Sequence, residues 1–231
     1  MGATDFPWIR KIAAVASLGE ENRRALYQYV LASGEAVGRD QAATALGLSR
    51  STASFHLDRL VDDGLLRAEF KRPGGKTGPG SGRPAKLYRP TLDEVGASVP
   101  QRSYDLAGHL MASAIAHSAA EGVPVSHALL DVADASGREA GRSGDFIGAL
   151  ADCGYQPTPD DAGGYRLLNC PFHRLSRDHS EVVCPMNGAF LRGVAVTSGA
   201  DPSTVVGDTG PGHCCARITR HIDDSGHDAA R

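Results

Sequence analysis

No hydrophobic run in this sequence is long enough to span a bilayer: the longest uncharged apolar stretches, such as Ile12 to Leu18, fall far short of the roughly 20 residues required. The first residues also make a poor secretion signal. Asp5 precedes Arg10 and Lys11, and only a short Ala/Val run separates these from Glu20 and Glu21. A cytoplasmic protein without membrane contact is the expectation. An excess of charge of either sign is missing too, since 24 Lys and Arg against 27 Asp and Glu leave a net charge of −3. Cysteines close together in sequence are nearly absent: Cys153, Cys170, Cys184, Cys214 and Cys215 contain no CxxC pair, which argues against a zinc ribbon or a thioredoxin-like site. An odd cysteine count without a secretion signal also makes a disulfide framework a poor expectation and favours metal or redox chemistry.

What is present is an ordinary globular composition, with 41% hydrophobic and 22% charged residues in 231, enough for two domains with a core each. The charge is unevenly placed. Residues 1–100 carry 14 basic against 11 acidic residues and residues 101–231 carry 10 against 16; between Arg67 and Arg89, seven basic residues face the single acid Glu69. Such a local density suits phosphate contacts. Glu20 to Ala32 places Leu26, Tyr27, Val30 and Leu31 on one apolar stripe, and Asp40 to Leu46 resumes helical periodicity with small residues. Gly47 can take the positive φ of a tight turn, Leu48 anchors it, and Ser49 offers an N-cap for a helix running to Asp63. That helix buries Ala53, Leu57, Leu60 and Val61 and leaves Arg50, Ser51, Thr52, Ser54, Phe55, His56 and Arg59 on its other faces. Gly64 ends it. Arg67 to Lys71 and Ala85 to Arg89 then alternate as strands around the Gly/Pro loop Arg72 to Arg83, which has nothing to bury and makes sense as a basic wing. Within the loop, Gly74-Gly-Lys-Thr77 lacks the earlier glycine and the following helix of a phosphate-binding loop.

The string GLSRSTASFHLDRLVDDGLL followed by GRPAKLYR resembles the winged-helix domain of ArsR-related bacterial regulators, in particular the group of SufR-type iron–sulfur-responsive repressors, over roughly residues 20 to 95. The resemblance implies a homodimer on a palindromic operator in double-stranded DNA. It places the helix from Ser49 to Arg59 in the major groove and the wing on backbone or minor groove. Candidate DNA contacts are then Ser49, Arg50, Ser51, Thr52, Ser54, His56 and Arg59 on the helix. On the wing they are Lys71, Arg72, Lys76, Arg83 and Lys86. Arg pairs with guanine edges or phosphate and Ser or Thr with either.

Residues 1–95 are thus expected as the DNA-binding domain, 96–125 as a linker and dimerisation helix, 126–225 as a small α+β sensor domain and 226–231 as a disordered tail, giving an α+β protein overall. Helices are expected over Arg102 to Glu121, Ser126 to Arg142 with Ser126 as its cap, Asp145 to Cys153, and His173 on to Gly193. Strands are expected at Tyr155 to Thr158, Tyr165 to Asn169, Thr204 to Val206 and Cys215 to Thr219. His109, His117 and His127 read as packing or surface residues and Cys153 as a core thiol. Thirteen residues lie between Cys170 and Cys184 and 29 between Cys184 and Cys214, so only folding could bring them together. Converging thiolates are soft ligands that suit an iron–sulfur cluster or zinc.

The segments LLNCPFHRLSRDHSEVVCPMNGAFLRG and GPGHCCARI resemble the C-terminal cysteine region of the SufR-like regulators and, more distantly, that of 4-vinyl-reductase-like ligand domains. The ligands so implied are Cys170, Cys184 and one of Cys214 or Cys215, with the other of that pair, His173, His213 or a non-protein group as the fourth. A 4Fe-4S cluster is favoured over 2Fe-2S, and the alternative is structural zinc beside a small-molecule effector pocket. An enzyme is not expected. A Cys/His pair arises readily with nine histidines, and no nucleophile turn marks Cys170 or Cys184.

Overall fold

The computed structural model describes residues 8–71, 84–91, 94–208 and 214–220. Arg72, Lys76 and Arg83 of the basic loop, His213 and the tail 226–231 lie outside the described residues. The chain divides into two compact units, Met1–Ser98 and Val99–Arg231.

In the first unit the order is α1 (Trp8–Ser17), α2 (Glu21–Ser33), β1 (Val37–Gly38), α3 (Arg39–Leu46), α4 (Arg50–Asp62), β2 (Leu66–Lys71) and β3 (Ala85–Pro90). Helix α1 was not foreseen from its short Ala/Val run. It buries Ala14 and Ser17, and the Ser17 hydroxyl donates to Asp63 at 2.5 Å, fastening it to the end of α4. In α2 only Leu26 and Val30 are fully buried, whereas Leu31, expected on the same stripe, is exposed because it stands about 140° round the helix from Leu26. Gly47 turns the chain between α3 and α4 at φ 65°, a region that disfavours side-chain-bearing residues, and the Leu48 N–H closes the turn on the Ala43 carbonyl at 2.9 Å. Ala53, Leu57 and Leu60 of α4 then meet Leu26, Val30, Val37, Leu66 and Tyr88 in one core. The sheet is antiparallel in the order β1-β3-β2, with Arg67 opposite Arg89 and Phe70 opposite Lys86. β1 escaped the sequence reading because it is two residues long.

The second unit runs α5 (Tyr104–Glu121), α6 (Val125–Ala140), a 3-10 turn (Gly141–Ser143), α7 (Phe146–Asp152), β4 (Pro157–Pro159), β5 (Tyr165–Leu167), α8 (His173–Asp178), α9 (Ser180–Thr197), β6 (Val205–Gly207) and β7 (Ala216–Ile218). Its sheet is antiparallel in the order β4-β5-β7-β6. Both units therefore combine helices with a small sheet. Helix α5, which falls in the segment expected as a linker and dimerisation helix, puts Ala107, Leu110 and Ala114 into this unit's core. Helix α6 begins at Val125 behind Pro124, so Ser126 is inside it and caps nothing. The helix expected to run unbroken from His173 to Gly193 is interrupted at His179, whose backbone at φ −140° and ψ 47° is not helical.

Helices α6 and α9 lie backbone to backbone. A methyl group built on Gly137 would overlap the Phe190 carbonyl, one on Gly193 the Asp134 carbonyl, and one on Gly141 the Val194 carbonyl. This contact sets the depth at which Met186, Phe190, Leu191 and Val194 are buried. Among the described residues no helix is long and apolar enough to cross a membrane.

Candidate nucleic-acid interface and thiol site

Helix α4 starts on Ser49, whose hydroxyl accepts the Thr52 N–H at 3.0 Å and also pairs with the Ser51 and Thr52 hydroxyls at 2.9 and 2.8 Å. Ser49, Arg50, Ser51 and Arg59 are exposed. Arg50 makes an ion pair with Asp40 at 2.7 Å, but both side chains are more than 60% exposed, so the pair is weak and open to exchange for a phosphate. Arg59 reaches Asp63 at 3.2 Å. Lys71 is exposed at the end of β2.

Three of the candidate contacts are turned into the unit. His56 is 13% exposed, with Nδ1 3.4 Å from the Glu20 carboxylate. That same carboxylate caps α2 by accepting the N–H groups of Asn22 and Arg23 at 3.1 and 2.7 Å. Ser54 hydrogen-bonds Tyr88, and Lys86 donates to Asp58 at 2.6 Å while lying 5.5 Å from the Tyr88 ring. Tyr88, fully buried, donates to Asp58 at 2.7 Å. Asp58 thus ties α4 to β3. Burial alone would push its carboxyl up, yet the hydrogen bonds from Lys86 and Tyr88 outweigh that and hold it below the usual 3.8. A lowered folded value means the contribution is complete above the unfolded value and lost as pH falls through the folded one. Asp58→Asn should therefore lower the thermal midpoint at pH 7 and flatten its decline below about pH 4, read by thermal melts from pH 2 to 7; an unchanged acid limb would contradict the tie.

Two aromatics outside the candidate contacts stand exposed on this unit. Phe55 is 67% exposed and Phe70 71% exposed. The signal was available for Phe55, since it lies four residues from both Ser51 and Arg59 and so shares their face.

In the second unit the fold gathers four cysteines that the sequence keeps far apart. Cys170 follows β5, Cys184 lies in α9, and Cys214 and Cys215 lead into β7. Their thiols form a hydrogen-bonded chain in the order Cys170, Cys214, Cys215, Cys184. The positions are enforced from several sides. The buried Asn169 amide donates to the Gln101 and Gly154 carbonyls at 2.8 and 2.5 Å, and the Arg102 guanidinium bridges its side-chain oxygen to the Cys170 carbonyl. The Cys214 N–H donates to Leu167 at 2.9 Å. Behind the sulfurs, fully buried Tyr155 donates to the Asn187 amide oxygen at 2.5 Å, which aims the Asn187 nitrogen at the sulfurs of Cys214 and Cys215, 3.2 and 3.6 Å away. Tyr155→Phe would leave that buried amide oxygen without its donor. It should cost about 1 to 2 kcal/mol, seen as a lower urea midpoint; an unchanged midpoint would show the bond to be dispensable.

Donors to sulfur favour the anion. Cys170 accepts from the Cys214 thiol first and also from the Phe172 N–H and Ser176, which lowers its pKa despite burial. Cys215 accepts from Cys214, Cys184 and Asn187 and is brought down to about 6. Its hydrogen bonds with Cys170 and Cys215, together with burial, hold the Cys214 thiol far above the ordinary range, and burial together with Cys215 pushes Cys184 up to about 12. Cys170 and Cys214 are buried, while Cys184 and Cys215 line a hollow of about 300 Å³ whose walls include Pro185, Arg192, Val205 and Val206. The sulfurs follow one another rather than surround one point, and among the described residues no group of three or more His, Cys, Asp or Glu is arranged to hold a metal ion. His173 is exposed at the start of α8, outside the thiol chain. Cys153 packs on the core, with burial raising its pKa to about 11.

No curated protein and no solved structure matches the chain. Residues 18–69, from the end of α1 into β2, match the family model of a helix-turn-helix domain, so the chain carries a domain of the kind through which transcription regulators bind DNA.

Proposed function

We propose that the chain is a transcriptional repressor, acting as a homodimer on a palindromic operator, whose DNA affinity depends on an iron–sulfur cluster held by Cys170, Cys184, Cys214 and Cys215. The observation that carries the reading is the convergence of four thiols from three distant segments under N–H and O–H donors. Soft sulfur donors with such outer hydrogen bonds are what thiolate-bound metals use. Cys184 and Cys215 border the hollow, which leaves space beside their sulfurs. A bound cluster would supply a redox-labile group, so that loss or oxidation releases the operator. The dimer reading draws on α5, whose outward side exposes Ile115 together with Gly108, Ala112 and Ala116, small enough for a twin helix to approach.

Structural zinc is the second reading, favoured by one feature. Sulfurs around a single zinc stand roughly 3.8 Å apart, given Zn–S bonds of about 2.3 Å, and these thiols already hydrogen-bond one another. Anaerobic purification followed by iron, sulfide and zinc analysis separates the two. Broad visible absorbance with iron and sulfide in equal amounts supports the cluster, colourless protein with zinc supports the second reading, and protein that takes up neither contradicts both.

A further inference from the structure

Phe55 is the feature of the N-terminal unit that neither the core nor the cap network uses. It is 67% exposed, in the N-terminal half of α4, between Ser51 one turn before and Arg59 one turn after. Its ring meets the ring of the largely buried His56 edge-on at 5.1 Å with 71° between planes. The ring rises beside a hollow of about 490 Å³ lined by Arg23, Asp58, Arg59 and Asp62. An apolar group fixed on the outer face of a helix flanked by Arg50 and Arg59 matches one feature of the major groove. Thymine is the base that presents a methyl group there, whereas the other major-groove positions present hydrogen-bonding groups. An aromatic ring, with only two side-chain torsions, also loses little rotamer freedom on contact.

We propose that Phe55 reads the 5-methyl group of thymine in the major groove, which makes thymine at a fixed position of each half-site a determinant of operator choice. This rests on the DNA-binding reading above. The full-length chain should first be used to select duplexes from a random library, and each thymine of the selected duplex then replaced by deoxyuridine, which removes only the methyl. One position per half-site should weaken binding about fourfold. Phe55→Ala should bind the selected duplex more weakly and treat thymine and deoxyuridine alike at that position, while Phe55→Leu should retain part of the preference. Because the side chain is exposed, both variants should keep the parent melting midpoint. Enrichment of a sequence with no deoxyuridine effect, or an effect that survives in Phe55→Ala, overturns the proposal and leaves DNA binding standing. A change of oligomeric state in Phe55→Ala with base preference intact would assign the ring to a contact between copies and overturn it likewise. Failure to enrich any sequence overturns both readings.

Discussion

Gly137→Val should unfold the C-terminal unit while the N-terminal unit stays folded. Its side chain would have to occupy the space of the Phe190 carbonyl, and a backbone atom in a helix cannot rotate aside as a side chain can. Parting α6 from α9 would open the core around Met186, Phe190 and Val194, at a cost of about 3 kcal/mol or more. The chain offers a clean readout, because its only tryptophan, Trp8, lies in the first unit, with its ring N–H donating to the Ser98 carbonyl at 2.9 Å. Tryptophan emission should keep its native position as helical circular dichroism falls. Loss of both signals together would show that the units do not fold independently, and retention of both would refute the close helix contact.

Cys214→Ala should abolish metal uptake and lower operator affinity by roughly 5- to 150-fold, the usual span of coupling between two sites. Cys214 is one of the two inner members of the thiol chain, joined to Cys170 on one side and Cys215 on the other, so its removal would part the proposed ligands. Cys170→Ala and Cys184→Ala should behave alike. Cys153→Ala should bind a full complement of metal, since that thiol packs on the core instead. Full metal content in Cys170→Ala and Cys184→Ala would show that the ligands lie elsewhere.

The helix-turn-helix was legible because its signals are local. Gly47 and Ser49 punctuate two periodic stretches, and the structure puts the turn at φ 65° and the cap on the Thr52 N–H where those residues stand. Ser126 misled because a capping residue type one position too late is simply the second residue of a helix already begun behind Pro124. The interruption at His179 was hidden because residues on either side keep helical composition. Which polar residues of α4 face outward was only half legible. Ser54 and His56 turn inward on account of Tyr88 and Glu20, partners 34 and 36 residues away in the chain, and such pairings leave no trace in helical spacing. The thiol site is the extreme case: the candidate ligands came from a family likeness, and their order along the hydrogen-bonded chain follows from the sheet register that brings β7 beside β5.

The most direct test of DNA binding is a titration of the full-length chain, metal-loaded and metal-free, against labelled duplex DNA at several salt concentrations. The logarithm of the binding constant should fall linearly with the logarithm of salt, by about 0.9 for each phosphate contacted, and more tightly bound complexes should form in the metal-loaded state. Absence of salt-dependent binding to duplex DNA in both states would contradict the regulator reading outright.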